Sequence, residues 1–459
     1  MRKFLTLFSV FCVSVLSAQT ERMSYAEYLG YVKKYHPLVR QANLEVSAAQ
    51  AALMVARGGF DPKIEVDYTK KEFKGIDYYD LLNSTFKIPT WYGIEVKAGF
   101  EQADGIYVDP QVSTPTDGLA FVGVQVPLGQ GLFINQRMAD VRAAKAQLRL
   151  GVVQRRLLAT QVLYDASKAY FQWKRTYEEF TLYGRYLEFA QVRYEGIRKL
   201  ILAGDKPAID SVEAGITVKN RRLSLEESRL KLTKARLELS NYLWIDDVPV
   251  ELSETIMPEE RLAESIVQTL ELEKAILDPT SVENHPKIES LKVKLDVLEI
   301  ERKLKANALL PRLDASYQYL SAPSYLGDYV GQDYKIGLNF SFPLFLRKER
   351  GSLRLAKLKI QDGNFELSNE RLQLRNKIEA QKAEINILAG QQLTIAELVN
   401  DYNRMLTSEE RLFSVGESSV FLINTRENSL VSAQLSQIDL QNRYLLSHAE
   451  LFRVLGGAE

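Results

Sequence analysis

The chain has 459 residues, with 59 basic against 59 acidic side chains, one Cys and three His. A neutral balance excludes the electrostatic footprint of a nucleic-acid binder, one Cys excludes a disulfide framework, and three His argue against a histidine-rich metal site. With 26% charged residues the chain is no polytopic helical membrane protein, and 25 Gly and 14 Pro are few for this length, so long uninterrupted elements are expected.

Arg2 and Lys3 precede an apolar run from Phe4 to Leu16, and Ser17-Ala18 supply small residues. This is the pattern of a secretory signal peptide over residues 1–18, with cleavage after Ala18 or, alternatively, after Ser17. Cys12 lies inside the apolar run behind Phe11, where a lipoprotein signal would need a small residue. The mature chain therefore has no Cys. No later run of 18 apolar residues occurs, so a bilayer would have to be crossed by strands.

The rest of the chain is a tandem duplication. His36-Pro37 and His285-Pro286 stand 249 residues apart, and at that offset Asp61-Pro62-Lys63-Ile64 faces Leu310-Pro311-Arg312-Leu313. Val126-Pro127-Leu128 matches Phe342-Pro343-Leu344 at an offset of 216, so the first copy is 33 residues longer between its prolines. The repeats are placed at 19–244 and 283–459, with a linker at 245–282.

Each copy reads as helix, Pro, strands, Pro, a very long helix, a Gly turn and a returning helix. In copy one the helices are expected at Ser24 to Arg57, about Gly129 to Ala203 and about Ala208 to Trp244. In copy two the last pair runs from about Phe345 to Val415 and from Ser418 to Leu455. Apolar residues recur every seven positions, at Ala166, Trp173, Phe180, Leu187 and Tyr194 with Ala169, Tyr183, Ala190 and Ile197. In copy two the corresponding rows are Leu388, Ile395 and Tyr402 with Leu398, Met405 and Leu412. A sustained heptad indicates a left-handed coiled-coil seam, although a helical bundle or a rod would show it too. A run of about 70 residues would be roughly 105 Å long, and the two shorter helices of a copy would together line it as one interrupted partner.

Between the prolines the pattern switches to period two. Tyr334, Ile336, Leu338, Phe340 and Phe342 alternate with polar residues, as do Leu313, Ala315, Tyr317 and Tyr319. In copy one the rows are Ile64/Val66/Tyr68, Tyr92/Ile94/Val96/Ala98/Phe100 and Ala120/Val122/Val124/Val126. Strands of this kind suit a transmembrane β-barrel, and a soluble half-buried sheet alternates as well. The 33 extra residues read as a polar loop (Lys70 to Tyr79), a weak strand (Asp80 to Ile88), a Pro89-Thr90 turn, a strand to Phe100 and a loop to Asp117. Either an added hairpin in the wall or a folded external loop fits. Four to six strands per chain fall short of the roughly eight of the smallest single-chain barrels, so several chains would share one barrel.

The signal peptide, the duplicated unit, Gly59-Phe60-Asp61-Pro62, Leu309-Leu310-Pro311, Pro127-Leu128 and Phe342-Pro343-Leu344-Phe345 together resemble the TolC-like outer-membrane efflux proteins. The resemblance implies a mainly α fold with a membrane β part. It consists of a long antiparallel coiled-coil helical barrel and a transmembrane β-barrel shared by three chains, internally duplicated. It also implies an equatorial belt, to which Ile245 to Thr280 with Pro249, Pro258 and Pro279 would contribute. The partners implied are the chain itself as a homotrimer, outer-membrane lipid, a periplasmic adaptor and, indirectly, an inner-membrane pump. The implied role is a passive exit duct for efflux or type I secretion, in the outer membrane and extending into the periplasm.

The adaptor-contacting tips implied are Gly204, Asp205 and Lys206 in copy one and Gly416, Glu417, Ser418 and Ser419 in copy two. The family's tip has an Asp about six residues after the Gly. Asp210 fits, and with Glu213 on the same helix face it would form a candidate acidic constriction in a symmetric assembly. Copy two departs, running through Val420-Phe421-Leu422-Ile423 to Asn424-Thr425-Arg426. An acidic gate would then rest on copy one or on Glu417, and each carboxylate could equally be a solvated helix-end residue. His36, His285 and His448 are read as structural. Without a GxSxG, P-loop, HExxH or CxxC pattern, no enzyme activity, cofactor or metal is expected. The alternative function is a periplasmic adaptor or a structural coiled-coil protein of the cell envelope; an adaptor would have one hairpin flanked by split β domains.

Overall fold

The computed structural model describes residues 22–273, 282–325 and 330–457. The proposed signal peptide and Pro279 lie outside them. The elements in chain order begin with β1 (Arg22–Met23), α1 (Tyr25–Tyr35), α2 (Pro37–Arg57), β2 (Lys63–Phe73), β3 (Ile76–Pro89), β4 (Glu95–Asp104) and β5 (Leu119–Pro127). Then come α3 (Gln136–Leu202), α4 (Ile209–Ser240), β6 (Trp244–Ile245), β7 (Val248–Pro249), β8 (Met257–Pro258) and α5 (Leu262–Thr269). The second repeat supplies α6 (Pro286–Asn307), β9 (Arg312–Ser321), β10 (Tyr334–Ser341), α7 (Arg347–Ser414) and α8 (Val420–Val454). Two compact units result, and each draws on both repeats. One comprises residues up to Arg40, Ala159–Asp278 and Lys377 onward, the other Gln41–Leu158 and Pro279–Asn376.

The helix expected from Ser24 to Arg57 is broken at His36. Proline disfavours a helical conformation in the residue before it, and His36 is extended at φ −63°, ψ 130°. Its Nδ1 accepts from the Leu38 N–H at 3.3 Å, and His285 Nδ1 accepts likewise from Lys287 at 3.1 Å. The two His-Pro pairs are thus equivalent helix caps. Ser24 and Glu27 have the spacing of a capping box, and the Ser24 hydroxyl accepts from the Glu27 N–H.

In the first unit α1 is pinned to α3 by aromatic packing closed with hydrogen bonds. Tyr25 donates to Ser167 Oγ at 2.6 Å, Tyr28 to the Ala166 carbonyl at 3.2 Å, and Tyr170 to the Met23 carbonyl at 2.6 Å. Burial pushes the Tyr25 and Tyr170 phenols well above the usual tyrosine range. They therefore stay neutral and cost little in desolvation. The end of α1 meets the end of α4, where His36 stacks on Tyr242 at 5.5 Å. The segment after α4 forms a small hairpin, β6–β7, turning through positive φ at Asp246 and Asp247, and β8 pairs with β1 in parallel.

The seven-residue period holds, with one correction in copy two. Leu388 and Ile395 are buried, but Leu398, Met405 and Leu412 are 40–42% exposed. The inward row is instead Val399, Leu406 and Phe413, packed with Tyr402 against Leu182, Tyr186, Ile423 and Leu430. One residue is 100° on a helix, so a row shifted by one faces elsewhere.

Two histidines make this unit acid-sensitive. Burial lowers the pKa of both His36 and His448 from the usual 6.5. A histidine depressed in the folded state binds its proton more readily when unfolded. Stability is therefore full above about pH 6.5 and falls as pH drops toward the folded values. The melting midpoint followed by circular dichroism is expected to fall between pH 7.5 and pH 5.5, and His448→Gln should shrink that difference. Identical pH profiles would contradict this.

The second unit holds a six-stranded sheet in the order β10-β9-β5-β4-β3-β2, antiparallel throughout. The polar loop expected at Lys70 to Tyr79 is absent. β2 runs to Phe73, β3 starts at Ile76, and Lys74 (φ 55°) and Gly75 (φ 72°) form a tight turn. Both central residues at positive φ mark a type I′ hairpin, whose twist matches that of its strands. The β3–β4 hairpin accordingly lies in the sheet, between β5 and β2.

Registers carry the sequence alternation across every strand. One row of direct neighbours reads Ile64, Phe86, Ala98, Val122, Tyr319, Tyr334. The row beside it on the opposite face reads Lys63, Lys87, Lys97, Gly123, Gln318, Lys335. One face is mainly apolar and the other mainly polar, with Ser84 and Gln102 interrupting the first and Leu81, Leu320 and Phe121, which covers Gly99, interrupting the second. Below the sheet, Leu53 of α2 packs with Val141 and Ala144 of α3, with Phe60 and Trp91 alongside. The Asn135 side chain accepts from the Met138 N–H at 2.9 Å and donates to the Trp91 carbonyl at 3.0 Å, tying the start of α3 to the β3–β4 turn.

Candidate functional site

The two Gly turns are built alike. At the end of α3 the Gly204 N–H donates to Ile201 and the Asp205 N–H to Leu200; after α7, Gly416 donates to Phe413 and Glu417 to Leu412. This pair of bonds is the Schellman closure, with a left-handed residue after the helix end. Gly204 has φ +85° and Gly416 φ +86°. In both, a Cβ would meet open space, so the backbone and not crowding selects glycine. Ser419 caps α8, accepting from Leu422 N at 3.3 Å.

The structure brings the two turns together. Ile197, Ala214 and Val420 form a buried cluster with Tyr194, Ile201 and Phe413 around it. Lys206 Nζ lies 4.8 Å over the Phe413 ring, so a residue of the first turn sits on the helix that leads to the second. Ser418 donates to Glu409 Oε1 at 2.5 Å. Gly204, Asp205, Gly416, Glu417 and Ser419 are exposed, and Lys206 and Ser418 half-buried.

The two residues of the expected acidic pair have different surroundings. Asp210 is half-buried in the first turn of α4. Glu213, one turn on, accepts from Asn424 Nδ2 of α8 at 3.3 Å.

Sequence reasoning missed the charged group beside it. Glu427 of α8, its side chain 1% exposed, accepts from Arg193 Nη2 of α3 at 2.5 Å and from Arg221 Nη2 of α4 at 3.2 Å. Arg221 also donates to Asn428 Oδ1 at 2.6 Å, and Arg193 to Asn424 Oδ1 at 3.2 Å. Three helices from both repeats therefore share one buried charge cluster. The signal was present: Ala214, Arg221, Ser228 and Ala235 form the buried heptad row of α4, and a charge in such a row needs a partner.

Residues 279–457 match the family described as outer membrane efflux protein. No curated protein sequence matches the chain significantly. Among solved structures the fold is similar to a membrane protein from Pseudomonas aeruginosa, with a TM-score of 0.68 and 16% identity over 94% of this chain and 90% of that one. It is similar to the Campylobacter jejuni CmeC outer membrane channel (0.66, 14%, covering 94% and 85%). It is also similar to the open state of the Neisseria gonorrhoeae MtrE outer membrane channel (0.65, 13%, covering 94% and 88%). Residues 279–457 are therefore similar to the outer membrane efflux protein family, and the fold of the chain is similar to that of solved outer membrane channels.

Proposed function

We propose that the protein is the outer-membrane exit duct of a tripartite efflux or type I secretion system. The observation that carries this reading is the six-stranded sheet with an apolar face running across every strand. Ile64, Val66 and Tyr68 on one edge and Ile336, Leu338 and Phe340 on the other are 58–73% exposed. Burying such a face in hydrocarbon is favourable, and leaving it in water is not. An open sheet can enter a bilayer only when its edges are closed. The helices make the same demand for copies. Ile209, Ile216, Leu223, Leu230 and Leu237 of α4 form a heptad row that is 48–67% exposed.

Three copies, the number the resemblance implies, would share one barrel. Solute passes passively, and the paired tips around Gly204 and Gly416 meet a periplasmic adaptor that an inner-membrane pump drives. Asp210 remains the candidate for an acidic constriction, with Glu213 committed to the contact between tips. The repeats 19–244 and 283–459 carry the duct, and 245–282 supplies the belt. An adaptor would present one hairpin flanked by split β domains, whereas the described residues hold two helical hairpins and a six-stranded sheet. Fractionation of cells expressing the full chain should recover the protein in the outer membrane as a trimer. Recovery in the soluble periplasm would overturn the proposal.

A further inference from the structure

The sheet has two free edges, β2 and β10. β2 leads away from α2 and β10 returns to α7, so the edges run in opposite directions. A β10 edge of one copy and the β2 edge of the next therefore meet as an antiparallel pair. We infer that this seam closes the barrel, that β10 residues 334–341 pair with residues 70–63 of the neighbouring copy, and that the wall has eighteen strands, six from each of three copies. The inference rests on the duct reading and says what its wall is made of.

The register follows from three constraints. Directly opposed residues share a face, so apolar Phe340, Leu338 and Ile336 must face Ile64, Val66 or Tyr68, and a slip of one residue would set the apolar residues of one strand against the polar residues of the other. Only pairing Phe340 with Ile64, Leu338 with Val66 and Ile336 with Tyr68 engages all of β10 and stops at Lys70, just before the irregularity at Lys71/Glu72. The third constraint is closure. The row that starts at Ile64 on β2 leaves the copy at Tyr334, and in this register it continues at Lys70 of the next copy. Six residues of stagger per six strands, at about 3.3 Å per residue and about 4.8 Å between strands, give a tilt of about 35°, inside the range of closed barrels. Eighteen strands at that tilt make a barrel about 34 Å across, wide enough for an aqueous channel.

The duplicated unit alone would give four strands per copy. The β3–β4 hairpin adds the other two, and its outward residues Phe86, Ile88, Val96, Ala98 and Phe100 extend the apolar face, with Ser84 and Gln102 as polar positions within it. The insertion widens the exit.

The only Cys, Cys12, lies in the proposed signal peptide, so paired cysteines report the seam cleanly. Glu65 and Asn339 oppose each other on the polar face in this register. In full-length protein in its membrane, Glu65→Cys with Asn339→Cys should give an oxidative cross-link ladder ending at three copies, about fivefold stronger than Asp67→Cys with Asn339→Cys, which reports the register two residues away. A trimer in the outer membrane that lacks the first ladder, or favours the second, overturns the seam and leaves the duct reading standing. A soluble monomer overturns both. Strand counting by electron cryo-microscopy on the unsubstituted protein decides independently of any variant. Eighteen strands are expected, and twelve would place the β3–β4 hairpin outside the wall.

Discussion

Replacing Glu427 with alanine is expected to loosen the contact between the two tips without unfolding the protein. The carboxylate is buried, while the Arg193 and Arg221 side chains keep 13% and 11% exposure. Its loss leaves Arg221 without a carboxylate and Arg193 with only the half-exposed Glu410, 3.8 Å from its Nη2. Breaking a buried pair in this way costs about 3–5 kcal/mol, and about 3 is expected here because both arginines retain a path to water. The measurement is hydrogen exchange across Val420 to Val431. Protection there should fall by roughly 100-fold, while α1 and the aromatic cluster at Tyr25 stay protected. A triple change to apolar residues, Arg193→Met, Arg221→Met and Glu427→Leu, should restore most of the protection, since well-packed apolar groups replace buried ions at little or no loss. If alanine at 427 leaves exchange unchanged, the cluster does not hold the tips together.

Much of this fold was legible in the sequence because its signals are local. His36-Pro37 and His285-Pro286 announce helix starts through the proline's own stereochemistry, and Gly204 and Gly416 announce ends through their backbone freedom. Alternation in Arg312 to Tyr319 and Asp333 to Phe342 needs only the period of a strand. The misreadings have physical causes too. Lys70 to Tyr79 looks like a loop because Lys, Glu, Asp and Gly dominate it, yet Lys74-Gly75 is a two-residue turn between strands that face water at their outer ends. Leu398, Met405 and Leu412 keep the heptad but point away from α8, and periodicity cannot tell an inward row from one that awaits another copy. The heptad row holding Arg221 called for a charged partner, but Glu427 could not be named as that partner because it lies 206 residues from Arg221 and 234 from Arg193. No spacing within one helix reports that kind of pairing.

Valine at Gly204 or Gly416 is expected to abolish pump-dependent export while the trimer and its barrel persist. Both positions hold φ near +85°, a conformation that costs a residue with a Cβ about 1–2 kcal/mol and a β-branched one more. Neither glycine touches anything that a Cβ would displace, so the penalty falls on the turn itself. The turn can relieve it by unwinding the last residues of α3 or α7. That would release the Schellman bonds to Leu200 and Ile201, or to Leu412 and Phe413, and move Lys206 off Phe413. The cluster at Ile197, Ala214 and Val420, flanked by Ile201 and Phe413, should loosen locally, while the cluster around Leu182, Tyr186 and Leu430 lies further along the helices and should hold. Export driven by the cognate pump should then drop by about tenfold or more, as a loss of about 1.4 kcal/mol or more in adaptor affinity requires. Asparagine tolerates positive φ, so Gly204→Asn and Gly416→Asn separate turn geometry from surface contact. If the geometry is what the adaptor reads, asparagine keeps export and valine loses it. If the exposed surface is read directly, both lose it. Full export with valine at both turns would remove the tips from the docking surface and leave the exposed heptad row of α4 as the next place to look.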